Sequence, residues 1–176
     1  MLGLILACVT THAVIIDMVT VGDPGNADDQ DYGSGTFGGV SYTYKIGVTE
    51  VSNDQYAEFL NAVATLGDLN GLYNDNMNSD PRGGISRTGS GTGVDPYVYA
   101  TKTDMGNKPV NYVSFFDAIQ FMNWLENGQN AGNTENRVYT IGMRLDETRN
   151  PSASFWLPSH DEWYKTAFYH LEVDDG

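Results

Sequence analysis

Residues able to do redox, metal or acid–base chemistry are few in this chain and poorly spaced for it. The 176 residues include one cysteine, Cys8, and three histidines, His12, His160 and His170. The last two would stand at opposite ends of one predicted helix, roughly three turns apart, too far to share an ion. The sequence also lacks zinc-site spacings, a phosphate-binding glycine loop and a serine nucleophile elbow. We therefore interpret the histidines as surface residues and assign no catalytic or cofactor-binding residue.

An Asp-rich segment, residues 22–35 (GDPGNADDQDYGSG), is the one local candidate for calcium binding. Its Asp29, Asp31 and Gly33 are not followed by the glycine and glutamate that an EF-hand loop requires. Gly, Pro, Asn and Asp are the residues that turns prefer. We interpret the segment as a solvated turn and leave metal ligands unassigned.

Three serines that could be mistaken for catalytic residues are explained by helix capping. Each precedes an apolar run and is followed, three positions later, by an acid or amide. In such a capping box the two side chains bind each other's backbone N–H groups at the first turn. We predict helices beginning within two residues of each serine, in the pairs Ser52 with Gln55, Ser114 with Asp117, and Ser159 with Glu162.

Apolar spacing of three and four residues behind the first two serines predicts amphipathic helices. The stripes are Tyr56, Phe59, Leu60 and Val63, then Phe115, Ala118, Ile119, Met122 and Leu125. Phe116 and Trp124 lie off the second stripe, so we expect that helix to be covered on two sides. Gly128 is typical of a left-handed cap at its end. All three tryptophans are predicted to be core residues, with Trp124, Leu157 and Trp163 as anchors.

The remaining elements are predicted strands and long polar loops. We predict strands at residues 14–21, 41–48 and 155–157, and a hairpin joining 85–87 to 97–100. In the second strand the apolar face would carry Tyr42, Tyr44, Ile46 and Val48. Residues 67–106 and 127–150 are otherwise rich in Gly, Asn, Ser and Thr. We expect them to be mainly loops held by aromatic anchors such as Tyr73 and Tyr97.

Composition excludes several classes of partner. The net charge is −14, with only nine Lys and Arg residues in total, scattered singly. Such a chain cannot neutralise a run of phosphates or bind an anionic membrane, so we expect no nucleic-acid partner. The 20 glycines and 12% aromatic residues suit a loop-rich domain with large aromatic anchors. A chain of this length forms one domain or part of one.

The first thirteen residues, MLGLILACVTTHA, are predicted to be a signal-peptide remnant. The run is too short to span a bilayer and ends with a small residue, as signal peptidase requires. The alternative is an apolar strand continuing into residues 14–16. We expect an exported or extracellular protein with no membrane contact after removal of the leader. Cys8 lies in this run; as the single cysteine it can form no internal disulfide, and we interpret it as inert.

Three segments resemble the sulfatase-modifying-factor family, which includes the formylglycine-generating enzymes. They are EVSN at 50–53, PVNYVSFFDA with NWL at 109–125, and WLPSHDEWY at 156–164. Their order and spacing follow the family patterns E-V-T-N, P-V-x-x-V-S-[WY]-x-D-A with N-W-L, and R-L-P-T-E-A-E-W-E. Trp156 replaces an arginine and His160 replaces the first acid, which weakens the transfer of activity more than that of fold. The structural signature comprises Glu50, Asn53, Pro109, Val110, Ser114, Asp117, Asn123, Trp124, Leu157, Pro158, Ser159, Glu162 and Trp163.

The resemblance implies an α+β, C-type-lectin-like fold that is loop-rich and incomplete at its C-terminus. Residues 14–176 would be the N-terminal portion of a sulfatase-modifying-factor domain, and residues 1–13 the leader remnant. Formylglycine-generating enzymes oxidise a sulfatase cysteine to formylglycine, using oxygen, copper held by two thiolates and a structural calcium ion. The resemblance places those cysteines and calcium ligands downstream of this chain. We therefore expect no cofactor within it, no activity from it alone, and a protein or peptide substrate.

A second hypothesis assigns the chain to a secreted binding or structural module that uses the same fold without redox chemistry. The two hypotheses predict different sequences after residue 176 of the gene product. Two nearby cysteines in a G-N-V-W-E-W-like context would favour the enzyme, and their absence would favour the binding module.

Overall fold

The computed structural model describes residues 13–31, 35–142 and 148–169, and in them short helices alternate with three small sheets. This mixed arrangement is the α+β class that the family resemblance implied, and most of the described residues lie outside helices and strands. Cys8, His12 and His170, with most of the predicted leader, lie outside the described residues. The elements are β1 Met18–Val21, β2 Asp29–Asp31, β3 Gly35–Phe37, β4 Tyr44–Gly47, α1 Asn53–Val63, α2 Asn76–Ser79, β5 Ile85–Thr88, β6 Val98–Thr101, α3 Phe115–Glu126 and α4 His160–Phe168.

The three predicted capping boxes are all confirmed. Ser52, Ser114 and Ser159 are the N-caps of α1, α3 and α4, each with the serine hydroxyl and the N3 side chain bound reciprocally to backbone N–H groups. Because these contacts join residues three positions apart, the local sequence is sufficient to specify where each helix begins.

The predicted left-handed cap of α3 is also confirmed. Gly128 has φ 76°. Its N–H donates to the carbonyl of Leu125 at 3.2 Å, and the N–H of Gln129 donates to the carbonyl of Trp124 at 2.9 Å. These two bonds define a Schellman motif. Glycine suits this position because it adopts positive φ without a Cβ clash.

The strand predicted at residues 14–21 is shorter than expected, since β1 begins at Met18. At Val14, before β1, the Gln129 side chain makes the backbone hydrogen bonds that a neighbouring strand would otherwise make. Its carbonyl oxygen accepts from the Val14 N–H at 2.6 Å and its amide donates to the Val14 carbonyl at 2.8 Å. Val14 is thereby fixed to the end of α3 and buried.

The sheets are three antiparallel pairs, β1–β4, β2–β3 and β5–β6. The last pair confirms the predicted hairpin. The strand predicted at 41–48 contracts to Tyr44–Gly47, and only its centre is covered. Tyr44 is buried, whereas Tyr42 and Val48 at the ends of the predicted apolar face are exposed. Tyr44 is covered by helix α4, with its hydroxyl donating to the Glu162 carbonyl, whereas Tyr42 contacts α4 through its hydroxyl and remains 40% exposed.

The strand predicted at 155–157 is wrong. These residues are irregular because side chains, and not a neighbouring strand, bind their backbone donors. The Phe155 N–H donates to the Glu126 carboxylate at 3.2 Å, and the Leu157 N–H donates to the Tyr139 hydroxyl at 3.1 Å. Apolar residues in this segment pack against the core without forming a ladder.

The core lies between α1 and α3. Phe59 is central, with its ring centroid 5.4 Å from those of Tyr56 and Phe121 and 5.3 Å from that of Trp124. Helix α3 is covered on more than one side, as predicted, since its buried residues run continuously from Ile119 to Leu125. Phe115, at the start of its predicted stripe, is exposed because it lies at the helix end.

The prediction of three buried tryptophans is only partly confirmed. Trp124 is 3% exposed and belongs to the core, and Leu157 is partly buried against it. Trp163 is 50% exposed, so its assignment as a core anchor is wrong. Helix α4 turns Glu162 and Lys165 inward and leaves Trp163 on the opposite face. There it contacts Phe168, with ring centroids 5.8 Å apart.

Candidate functional site

A fully buried carboxylate, that of Glu162, lies at the first turn of α4 and is bound by four donors. Its capping partner Ser159 donates a backbone N–H at 2.7 Å. The Tyr42 hydroxyl donates at 2.6 Å, Arg149 Nη1 at 3.0 Å and the Trp156 indole N–H at 3.2 Å. The carboxylate is 0% exposed, so these contacts replace its hydration. We call Tyr42, Arg149, Trp156, Ser159 and Glu162 the Glu162 cluster.

Arg149 lies on the solvent side of the cluster and contacts three of its other members. Its Nη2 donates to the Tyr42 hydroxyl at 2.8 Å, and its guanidinium lies 4.6 Å from the centroid of the Trp156 ring. The planar guanidinium can therefore pair with a carboxylate and stack on an indole at once, which a lysine could not do. The cluster joins the loop before β4, the segment before α4 and α4 itself.

The electrostatics of the cluster favour an ionised Glu162. Burial by itself would raise its pKa, but hydrogen bonds from Tyr42, the Ser159 backbone and Arg149 outweigh burial and lower it. Burial and the bond to Glu162 raise the pKa of Tyr42. A carboxylate whose charge is paired with Arg149 and whose oxygens are already bound is a poor general base at neutral pH. The cluster is suited to holding three chain segments together.

The Glu162 cluster adjoins an apolar groove of about 860 Å³. Trp156 belongs to both. The lining of the groove comes from β1, β4 and the turn after β4, and from α3, residues 154–158 and α4. Most of the lining is aliphatic or aromatic, including Met18, Ile46, Leu125 and Trp163. Among the described residues, its polar lining side chains carry hydroxyl groups, indole N–H groups, the Lys45 ammonium and the Glu50 carboxylate, with neither cysteine nor histidine. The groove can bind apolar groups but carries no nucleophilic thiol or imidazole.

The described residues contain no group of three or more His, Cys, Asp or Glu side chains placed to hold a metal ion. In the Asp-rich segment, Asp28 is used by the fold: its Oδ1 accepts the Gly39 N–H at 2.8 Å. His160 is exposed, with its ring centroid 4.1 Å from that of Phe37. Within the described ranges, no helix is both long enough and apolar enough to cross a membrane.

The structure divides the predicted signature residues among three places. A seam between α1 and residues 105–110 holds Asn53, Pro109 and Val110. Helix α3 and its cap hold Ser114, Asp117, Asn123 and Trp124. The groove and the Glu162 cluster hold Glu50, Leu157, Pro158, Ser159, Glu162 and Trp163. Only the last group meets at one site.

Two signature asparagines act as clamps between segments. Asn53 donates from its side chain to the carbonyls of Met105 and Lys108, each at 2.9 Å. Asn123, fully buried, donates to the carbonyl of Thr134 at 2.7 Å and accepts the Val138 N–H at 2.8 Å. Asn123 uses both functions of its amide, as donor and as acceptor, whereas the carbonyl oxygen of the Asn53 side chain is buried without a hydrogen-bond partner among the described residues. The polar insert after α3 is thus tied to the helix.

Two members of the Glu162 cluster, Tyr42 and Arg149, were not predicted from sequence. They are 107 positions apart and share no motif with Glu162. Tyr42 was assigned to a strand face, and Arg149 lies in a segment interpreted as loop. A single arginine inside a polar insert gives no spacing signal, so only the folded chain shows the contact.

The fold is therefore a loop-rich α+β domain built on three capped helices, with a buried ionic cluster beside an apolar groove. A family model, described as the sulfatase-modifying factor enzyme 1-like domain, matches residues 39–168. The match covers well over half of the chain, and the chain belongs to this family. No curated protein and no solved structure matches it.

Proposed function

We propose that this chain is the N-terminal portion of a formylglycine-generating-type domain with a C-type-lectin-like fold. In this proposal it forms the scaffold, and residues outside it supply the thiol chemistry that oxidises a sulfatase cysteine to formylglycine. The observation that carries the proposal is the family match over residues 39–168, a range that contains all three capped helices and no cysteine. A secreted protein or peptide is the substrate class that we infer.

The residues present do not fit a copper site. Copper(I) prefers soft thiolate ligands, and the chain's one cysteine, Cys8, lies in the predicted leader. The described carboxylates and His160 form no metal-binding group either. We therefore assign no oxidation step and no calcium site to this chain. Its own contribution is mechanical: the Glu162 cluster holds α4 and residues 149–156 against the loop before β4.

The proposal also includes export. The apolar run at residues 1–13 supports a cleaved leader, and the scarcity of cysteine does not oppose it. Mass spectrometry of the N-terminus of the protein secreted by its natural host tests this directly. A mature N-terminus near Val14 is expected, and an intact Met1 in the mature protein would contradict export by this route.

Activity is tested with a synthetic peptide containing Cys-x-Pro-x-Arg, incubated with copper, oxygen and the purified 176-residue chain. We expect the peptide to keep its cysteine, as in a reaction without protein. The gene product read past residue 176 is expected to convert the cysteine to an aldehyde, detected by mass spectrometry and hydrazide labelling. Aldehyde formation by the 176-residue chain, retained after Cys8→Ser, would show that the chemistry lies inside it.

The second candidate function is a non-catalytic binding module. The exposure of Trp163 on the wall of an apolar groove favours it, since half-exposed indoles often stack on ligands. A gene that continues without a pair of nearby cysteines would support this candidate over the enzyme. Unchanged peptide in the presence of the longer gene product would support it further.

A further inference from the structure

Residues 156–164 keep the second glutamate of the family pattern but lack its arginine. In the pattern R-L-P-T-E-A-E-W-E, the arginine falls at position 156 and the second glutamate at position 162. This chain has Trp156 and Glu162 at these positions. A tryptophan carries no charge, so the local motif leaves Glu162 without a cation. A fully buried carboxylate that has lost its cation destabilises the folded state strongly.

The cation comes instead from the polar insert at residues 127–150. Arg149 lies 13 positions before Glu162 and donates from Nη1 to its carboxylate at 3.0 Å. Burial would raise the pKa of Glu162, whereas hydrogen bonds from Tyr42, the Ser159 backbone and Arg149, together with the charge of Arg149, lower it. A guanidinium therefore faces the carboxylate, although it starts from a different position in the chain than in the family pattern.

Trp156 points at the same carboxylate. Its Nε1 lies 3.3 Å from Oε1 and 3.2 Å from Oε2 of Glu162. An arginine side chain is long and carries five N–H donors, so an arginine at position 156 can reach the same oxygens. The Arg149 guanidinium lies 4.6 Å from the centroid of the Trp156 ring, so it approaches the carboxylate beside the indole.

We propose that Arg149 is a positioning residue that replaces the arginine of the family pattern, so that the change to tryptophan at position 156 is compensated from residue 149. Arg149 acts through Glu162, whose carboxylate accepts from the Ser159 N–H and from the Tyr42 hydroxyl. The ion pair thereby holds the first turn of α4 against the loop before β4. The indole of Trp156 orients the guanidinium by stacking.

The exchange also changes the groove. Trp156 lines it, so this part of the wall carries an indole where the family pattern has a charged side chain. The charge of Arg149 lies toward solvent, with 32% of its side chain exposed. The proposal concerns how α4 is held and goes beyond the proposed function, since it applies to a catalytic domain and to a binding module alike.

Returning an arginine to position 156 tests the compensation. Arg149→Met removes the guanidinium and should lower the folding equilibrium constant of the 176-residue chain by about 30-fold or more, because Glu162 is left buried without a cation. Adding Trp156→Arg to this variant should recover at least about tenfold, since the new guanidinium can reach the same oxygens. Urea denaturation followed by circular dichroism at about pH 7 measures both changes. A double variant no more stable than Arg149→Met would overturn the proposal.

Arg137 provides the matched control, because it is an exposed arginine of the same insert. Arg137→Met should change the equilibrium constant by less than about threefold. A loss as large as that of Arg149→Met would overturn the proposal, because any positive charge in the insert would then have the same effect.

A milder variant keeps the test decisive if Arg149→Met does not fold. Arg149→Lys retains the charge but loses the planar group that pairs and stacks at once, so its stability should fall between those of the parent and Arg149→Met. Adding Trp156→Arg to the lysine variant should recover at least about threefold. Absence of recovery in this background contradicts the compensation as well.

The pH profile distinguishes an ion pair from a packing contact. In Arg149→Met, the pKa of Glu162 should rise relative to the parent, because no guanidinium favours the ionised form. The difference in stability between the parent and Arg149→Met should therefore narrow as the pH falls from about 7 to about 4, and the double variant should follow the parent. Tyr42, whose pKa is raised by burial and by its bond to Glu162, stays protonated over this range. A difference that is constant with pH would show that Arg149 acts by packing alone and would overturn the proposal.

Discussion

Helices α3 and α4 begin with the same kind of capping box but lie in different environments. Each has a serine N-cap and an acidic N3 residue that binds the serine's backbone N–H, Asp117 at 2.8 Å and Glu162 at 2.7 Å. Burial raises the pKa of Asp117, because the hydrogen bonds from Ser114 do not outweigh it. The pKa of Glu162 is lowered although burial opposes this, because Tyr42 and Arg149 add their hydrogen bonds.

The tryptophans of the two helices differ in the same way. Trp124 is 3% exposed and Trp163 is 50% exposed, although both follow a capping box within an apolar pattern. Trp124 packs against Phe59 of α1 on the core side of α3, whereas Trp163 lines the open groove. A shared local pattern thus determines where a helix starts, and its neighbours determine which of its side chains are buried.

Replacing the two tryptophans should give the largest difference between the helices. Trp124→Ala removes a buried indole from the Phe59 cluster and should lower the free energy of unfolding by about 3–5 kcal/mol. Trp163→Ala should lower it by about 1 kcal/mol or less, since the side chain is half exposed. Urea denaturation followed by circular dichroism measures both. Equal losses would show that Trp163 is an anchor of the core after all.

Neutralising the two N3 acids should distinguish the contribution of helix capping to stability from the contribution of the Glu162 cluster. Glu162→Gln leaves Arg149 and Tyr42 without their charged acceptor and should destabilise by about 2–3 kcal/mol. Asp117→Asn should cost about 1 kcal/mol or less, because only capping bonds are affected. Glu58→Gln on the exposed side of α1 is the control and should change stability by under about 0.5 kcal/mol. Similar values for Glu162 and Asp117 would mean that the cluster adds nothing to the cap.

Removing the cap hydroxyls should have similar effects in both helices. Ser114→Ala and Ser159→Ala each delete the acceptor for an N3 backbone N–H and should cost about 1 kcal/mol. Thermal unfolding of both variants tests whether the two serine caps contribute equally to stability. A loss at Ser159 several times that at Ser114 would show that the Glu162 cluster depends on the hydroxyl as well as on the carboxylate.

The dependence of stability on pH should differ in sign between the two acids. Glu162, with a folded-state pKa below its ordinary value of 4.5, contributes stability above that pH and loses it as the pH falls through the folded pKa. Asp117 has a raised folded-state pKa, so its ionised form destabilises the folded state. This destabilisation is removed as the pH falls and the carboxyl group is protonated. Urea titrations from about pH 6 to about pH 3 should therefore show a shallower acid loss for Glu162→Gln and a steeper one for Asp117→Asn, each by under about 1.4 kcal/mol per pH unit. Parallel curves for both variants and the parent chain would contradict the opposite shifts.

The comparison also shows which parts of the candidate site could be predicted. Ser159 and Glu162 were identified as a pair because their contact spans three residues. Arg149 and Tyr42 were not, because no periodicity links residues that meet only after the chain has folded. Residues 155–157 were predicted as a strand from their apolar character, but Glu126 and Tyr139 bind the backbone donors that a ladder would need.

The resemblance of the sequence to its family implied the α+β class. The sequence by itself also determined the three helix starts, the left-handed cap of α3 and the β5–β6 hairpin. These features depend on hydrogen bonds and side-chain packing between residues close together in the chain, so their patterns are visible locally. Only the tertiary structure decided that Trp163 is half exposed, that the environment of Glu162 favours its ionised form within a buried cluster and that an apolar groove adjoins this cluster. Burial and electrostatic environment are sums over residues far apart in sequence, and a local pattern contains no information about which of them will meet.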